Sequence, residues 1–120
     1  MKLLDSNILI YAPQPTYVHL LPLLVDSACY VSEITRLEVL GFHGLTPNEK
    51  IYYAQVFRNK VVIPITSDII DLAILLRQTR KMSIGDSIHA ATALLNGLEL
   101  QTRNLSDFQH IPGLALNNPI

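Results

Sequence analysis

Apolar residues in this chain come in short runs that alternate with stretches of helical spacing, the pattern of βα units around a largely parallel sheet. Residues 2–5 read as a first strand. A short helix over 8–12 follows, stopped by Pro13 and Pro15. Residues 16–25 have helical spacing, with Pro22 as a kink or boundary. Residues 29–32 form a second strand, and a helix over 34–40 ends at Gly41. Thr46-Pro47-Asn48-Glu49 combines an N-cap, a proline at the first helical position and a capping-box glutamate, so a helix starts there and runs to Arg58. Residues 61–65 are continuously apolar, as a doubly covered third strand should be. Helical spacing returns over 67–80. A further helix carries Ile84, Ile88, Ala91 and Leu95 as its predicted buried stripe and ends at Gly97. Residues 98–102 make a fourth strand, whose alternation of Glu99 and Gln101 with Leu98 and Leu100 predicts one partly exposed face. Residues 114–116 supply a short fifth. The fold class is therefore α/β, one domain over residues 1–120, with a sheet of about five strands flanked by helices.

Composition alters this picture in two ways. The apolar content of 49% and mean hydropathy of +0.29 are high for a small domain, an excess that a well-covered sheet and an apolar surface reserved for a partner would explain. Leu20, Leu21, Leu23 and Leu24 lie on a segment too apolar all round to face only water, which points to self-association. No apolar run is long enough for a membrane span, and Asp5 and Asn7 interrupt any signal-peptide core. Cys29 is the only cysteine; it reads as a small buried hydrophobe in a reducing, cytoplasmic setting. A net charge of −1 argues against a strongly basic nucleic-acid binder.

The acidic residues are unevenly placed. Asp5 ends the first strand, and Glu38 lies on the helix after the second. Asp86 starts the helix before the fourth strand, and Asp107 follows that strand. In open α/β sheets the functional crevice lies beyond the carboxyl ends of the strands, so these acids can converge. Burying a bare carboxylate costs several kcal/mol, and clustering makes sense around a hard divalent cation such as Mg²⁺. With ten acidic residues in all, setting these four aside leaves six against nine basic ones, a balance that permits contact with a phosphate backbone. Each acid also has a plainer reading. Asp5 or Ser6 can cap the following helix, Thr35–Glu38 and Ser83–Asp86 both match a capping box, and Asp107 alone is an ordinary loop acid. Asp86, Ala90 and Ala93 share one helical face, where small alanines allow close approach. The four histidines lack zinc-ligand spacing. His89, three residues from Asp86, can approach the site but reads first as a packed or hydrogen-bonded residue. The glycines match no phosphate-binding loop.

Leu4-Asp5-Ser6-Asn7-Ile8-Leu9-Ile10, Ser32-Glu33-Ile34-Thr35-Arg36-Leu37-Glu38, Gly85-Asp86-Ser87-Ile88-His89-Ala90-Ala91-Thr92-Ala93 and Thr102-Arg103-Asn104-Leu105-Ser106-Asp107-Phe108 occur in that order, with Ile111-Pro112-Gly113-Leu114 near the end. Taken together these blocks resemble PIN-domain proteins, and among them the VapC-type toxins of bacterial toxin–antitoxin pairs. Gln101 departs from the pattern, at a strand position usually apolar. The resemblance implies a three-layer α/β/α fold and a metal-dependent ribonuclease. In it Asp5, Glu38, Asp86 and Asp107 hold one or two Mg²⁺ or Mn²⁺ ions, directly or through water. It also implies a homodimer and an antitoxin partner. Asn7, Thr102 and Asn104 have the chemistry to orient carboxylates and waters, or else to form turns and caps. Arg36, Lys81 and Arg103 can meet phosphates, or remain solvated surface charges.

Two other functions compete. A phosphatase with an aspartyl nucleophile after the first strand usually carries a second Asp two residues on, where this chain has Asn7. A non-catalytic PIN-like module that binds RNA or protein would be expected to lack one of the acids, and all four are present.

Overall fold

The computed structural model describes residues 1–120. Five strands form one sheet: β1 (Lys2–Leu4), β2 (Cys29–Ser32), β3 (Val62–Ile63), β4 (Glu99–Gln101) and β5 (Leu116–Asn117). Their order is β3-β2-β1-β4-β5 and every pairing is parallel. Six α-helices cover it: α1 (Ser6–Tyr11), α2 (Leu21–Val25), α3 (Glu33–Leu40), α4 (Pro47–Arg58), α5 (Ser67–Thr79) and α6 (Ile84–Asn96). This is the three-layer α/β/α arrangement expected. Successive strand residues face opposite layers. Leu4 packs with Ile8, Leu9, Val31, Val39, Tyr53 and Phe57, whereas Leu3 packs with Ala90, Ala93, Leu100 and Phe108. No helix is long and apolar enough to cross a membrane.

The order β3-β2-β1-β4-β5 places a topological switch beside β1. The chain leaves β1 toward β2 on one side, and β4 returns on the other. A crevice opens at such a point, beyond the carboxyl ends of the strands. Pairing Leu4 with Gln101 brings the ends of β1 and β4 level. Asp5 and Thr102, the next residues, therefore leave the sheet side by side.

Several elements differ from the sequence reading, each for a physical reason. Residues 16–25 are not one helix but a 3-10 segment, Pro15–Leu20, followed by α2, with Pro22 in the first turn of α2. Proline lacks the N–H that a continuous helix would need there. Leu20 and Leu24 go into the core, so this segment is not apolar all round on its surface. β3 is an edge strand of two half-buried residues, and Val61 is exposed rather than doubly covered. On α6, Ile84 and Leu95 are 60% and 51% exposed, while the helix middle is buried on all sides from Ser87 to Ala93. The predicted stripe thus holds only at Ile88 and Ala91. Gln101 is fully buried. It donates to Glu99 at 2.6 Å and accepts from the Asn117 side chain at 2.7 Å, so its polar ends are satisfied within the sheet. Gly97, at φ +62°, ends α6 as expected of a left-handed C-cap.

Candidate active site

Asp5 has the N-cap position of α1, where its Oδ1 accepts the Ser6 N–H at 2.7 Å. Its Oδ2 accepts from the Thr102 hydroxyl at 2.8 Å. The Thr102 oxygen in turn accepts the Asn104 N–H at 3.1 Å. Capping Ser6 leaves the Asp5 carboxylate free to bond Thr102 as well, so the two residues hold one another across the strand ends. Asn104 contributes its backbone. The side-chain oxygen of Asn7 is buried without a partner.

Glu38 is not part of a capping box. α3 begins at Ser32, whose hydroxyl accepts the Ile34 N–H at 3.2 Å. Thr35 lies inside the helix and is fully buried. Residues three apart share a face, so Thr35 and Glu38 both turn toward α1. There the Ser6 hydroxyl contacts Thr35 Oγ1 at 3.1 Å and Glu38 Oε1 at 2.8 Å. One hydroxyl has one hydrogen to give; the shorter contact, to the carboxylate, takes it. Gly85 permits the close approach of Glu38 to α6: a Cβ there would stand 3.0 Å from Glu38 Oε2.

His89 joins these groups. Its Nε2 lies 3.2 Å from Glu38 Oε1 and 3.3 Å from Asp5 Oδ1, and the ring is almost wholly buried. Both neighbours are acceptors, so Nε2 carries the hydrogen. Nδ1 is buried without a partner, and the ring is held through Nε2 alone. The sequence reading of His89 as hydrogen-bonded holds; that its partners are the site acids was not legible. Asp86 and His89 share one face of α6, three residues apart. The Ser83 hydroxyl accepts the Asp86 N–H at 3.0 Å, so Ser83 is the cap of α6. Asp107 ends the 3-10 turn Leu105–Asp107 and lines a hollow of about 400 Å³ with Asp86.

Electrostatics ties the acids together. Burial pushes the Asp86 carboxyl above its usual range, and the Asp5 and Asp107 charges push it further, with Ser83 and His89 opposing. The hydrogen bond from His89 holds Glu38 below the carboxylate range against the effect of burial, helped by Ser6. Burial favours neutral His89, but Glu38, Asp5 and Asp86 together outweigh it and raise its pKa. These shifts predict how stability varies with pH in chelator. The lowered Glu38 contributes stability that is lost as pH falls through its folded value. The raised His89 contributes stability present below its ordinary pKa of 6.5 and lost as pH rises through the folded value. Ionising Asp86, whose pKa is raised, also costs stability as pH rises. Thermal melts of wild type should therefore peak at mildly acidic pH. His89→Asn should flatten the decline above pH 6.5; an equally steep decline in that variant would contradict the pairing.

Four carboxylates offer hard oxygen donors, the kind preferred by Mg²⁺ or Mn²⁺, and the Asn7 amide oxygen is an unpartnered acceptor two residues from Asp5. The donor chemistry fits such an ion. In spacing, no three His, Cys, Asp or Glu groups stand ready to hold one together. His89 lies between Asp5 and Glu38, so binding there requires these side chains to shift.

A family model described as PIN domain matches residues 2–114. The structure is similar to a chain of a toxin–antitoxin complex from Klebsiella pneumoniae, with 30% identity, a TM-score of 0.83, and coverage of 100% of this chain and 98% of that one. A chain of FitAcB from Neisseria gonorrhoeae is 23% identical with a TM-score of 0.80, covering 99% and 98%. A chain of VapBC2 from Rickettsia felis, bound to a DNA fragment from its promoter, is 20% identical with a TM-score of 0.78, covering 98% and 97%. No curated protein sequence matches.

Proposed function

From the membership of this chain in the PIN-domain family, we propose that it is a metal-dependent endoribonuclease, the toxin of a VapBC-type toxin–antitoxin pair. The observation that carries the reading is that Asp86 and Asp107 line one hollow, while Glu38 is joined to Asp5 through Ser6 and through His89, on the same face of α6 as Asp86. Asp5, Glu38, Asp86 and Asp107 would hold one or two Mg²⁺ or Mn²⁺ ions, directly or through water. When bound, such an ion lowers the pKa of a water for in-line attack on phosphorus and offsets charge on the leaving oxygen. Thr102 and the Ser6 N–H fix the Asp5 carboxylate, and the Ser6 hydroxyl and His89 Nε2 aim Glu38 toward it. A site of carboxylates needs no side-chain nucleophile.

Partner binding is supported by exposed apolar surface. Ile70, Ile74, Leu75 and Ile84 are exposed on α5 and α6, and support a homodimer. A groove of about 510 Å³ that includes Ile10, Val39, Phe42, Leu45 and Glu38 supports docking of an antitoxin segment next to the site. The chemistry is tested by cleavage of an RNA substrate. Purified protein is expected to cut RNA with Mg²⁺ or Mn²⁺ and to stop in excess chelator, and Thr102→Val should lose about 10–100-fold through a misoriented Asp5. Undiminished cleavage in chelator would overturn the reading, and a strictly monomeric species at high concentration would overturn the homodimer.

A further inference from the structure

The hollow lined by Asp86 and Asp107 has a second wall of opposite charge: Arg80 and Lys81 line it together with Met82, Ser83 and Ser106. Both cations are exposed, and neither forms an ion pair with the acids across the space. The other basic residues next to the site motifs are engaged. Arg36 is paired with Glu33. Arg103 lies over the Tyr11 ring, 4.9 Å from its centroid, and bonds the Tyr11 hydroxyl.

The segment that carries Arg80 and Lys81 is pinned at both ends. α5 stops at Thr79, and Arg80 is already extended. Two residues on, Met82 is buried, and its carbonyl accepts from Arg77 Nε at 3.1 Å. Ser83 then caps α6. The two cations are thus held at the rim on a short fixed bridge and not on a free loop. Opposite charges that share a cavity yet do not pair leave room for an anion between them, with its charge balanced on the cationic side.

We propose that Arg80 and Lys81 form a phosphate subsite for single-stranded RNA, gripping the backbone next to the bond that is cut. This inference rests on the ribonuclease reading and adds to it a direction. The strand enters over the α5–α6 bridge, and its phosphates meet Arg80 and Lys81 before the scissile phosphate reaches the acids. Phosphate contacts carry no sequence information but set register and affinity, so these residues act on substrate binding and not on the chemical step.

The test compares wild type with Arg80→Gln/Lys81→Gln. A control, Lys2→Gln/Arg58→Gln, removes the same charge at residues that do not line this hollow. The probe is a fluorescent single-stranded RNA oligonucleotide, bound in chelator over a salt series and cleaved in Mg²⁺. Losing two phosphate contacts should flatten the slope of log affinity against log salt by about 1.4, at about 0.7 per contact. It should also raise KM roughly tenfold with kcat held, while the control tracks wild type. Wild type that cleaves, with slope and KM unchanged in the Arg80/Lys81 variant, overturns the subsite and leaves the ribonuclease reading standing. An effect of equal size in the control overturns it too. A wild type that cuts no RNA, with the slope still flattened only in the Arg80/Lys81 variant, overturns the ribonuclease reading and leaves the subsite.

Discussion

Asp86→Asn is expected to lower RNA cleavage by more than about a hundredfold and to leave the protein, in chelator, at least as stable as wild type. The two halves of this expectation have separate causes. Changes to residues that merely orient metal ligands cost about 10–100-fold, so loss of a carboxylate that would itself hold the ion should cost more. Stability responds differently, because the folded state disfavours the Asp86 charge through burial and through Asp5 and Asp107. Neutralising it removes that penalty. The helix start survives, since its cap is the Ser83 hydroxyl on the residue-86 N–H, which asparagine retains. Added Mg²⁺ should raise the melting temperature of wild type through preferential binding to the folded state, and that of the variant less. If Asp86 were only part of a cap, the variant would stay active and lose about 0.5–2 kcal/mol. Melts with chelator and with Mg²⁺, run beside the cleavage assay, separate the two.

Phe108→Ala should be the most destabilising single truncation near the site, at about 3–5 kcal/mol. Phe108 is wholly buried and packs with Leu3, Ala90, Leu100 and Ile111. Against a total stability of about 5–15 kcal/mol, this loss is large. It also reaches the chemistry. Asp107 is carried on a three-residue 3-10 turn with no side-chain cap, so the next residue's ring is its anchor. Phe108→Leu keeps much of the volume and should lose far less of both stability and cleavage. A shift in urea midpoint worth under 1 kcal/mol for the alanine variant would contradict this anchoring role.

How much of this was legible in the sequence depends on which force placed each residue. The end of β1 and the extent of β2 were legible from apolar residues bounded by polar ones, whereas β3, expected over 61–65, is only Val62–Ile63, and β5, expected over 114–116, is Leu116–Asn117, because both are edge strands paired on one side only. The capping box at Thr46 was also legible, since it is a local exchange of hydrogen bonds within four residues. The same local pattern occurs at Thr35 and Glu38 without forming the box. Ser32 stands at the strand end and takes the cap first, which moves Thr35 into the helix interior and leaves Glu38 to bond Ser6 and His89. Gln101 looked exposed because its polarity hid a partner, Asn117, that only the β4–β5 register brings near. The α6 stripe failed for a reason of topology. α6 packs against α5, α3 and the sheet, so its middle is buried on every side while Ile84 and Leu95 near its ends are exposed. His89 shows the limit most clearly. Its spacing from Asp86 puts both on one face, but its bonds to Asp5 and Glu38 join residues 84 and 51 positions away, and no local pattern encodes them.

If Asp5, Glu38, Asp86 and Asp107 form one cation site, the ion should bind without any RNA, and calorimetric titration of chelator-stripped protein with Mn²⁺ measures that binding alone. Wild type should bind with measurable heat, and Asp5→Asn, Glu38→Gln, Asp86→Asn and Asp107→Asn should each weaken binding by about tenfold or more. Absence of Mn²⁺ binding by folded wild type, or affinity unchanged in all four variants, would rule out a shared cation site.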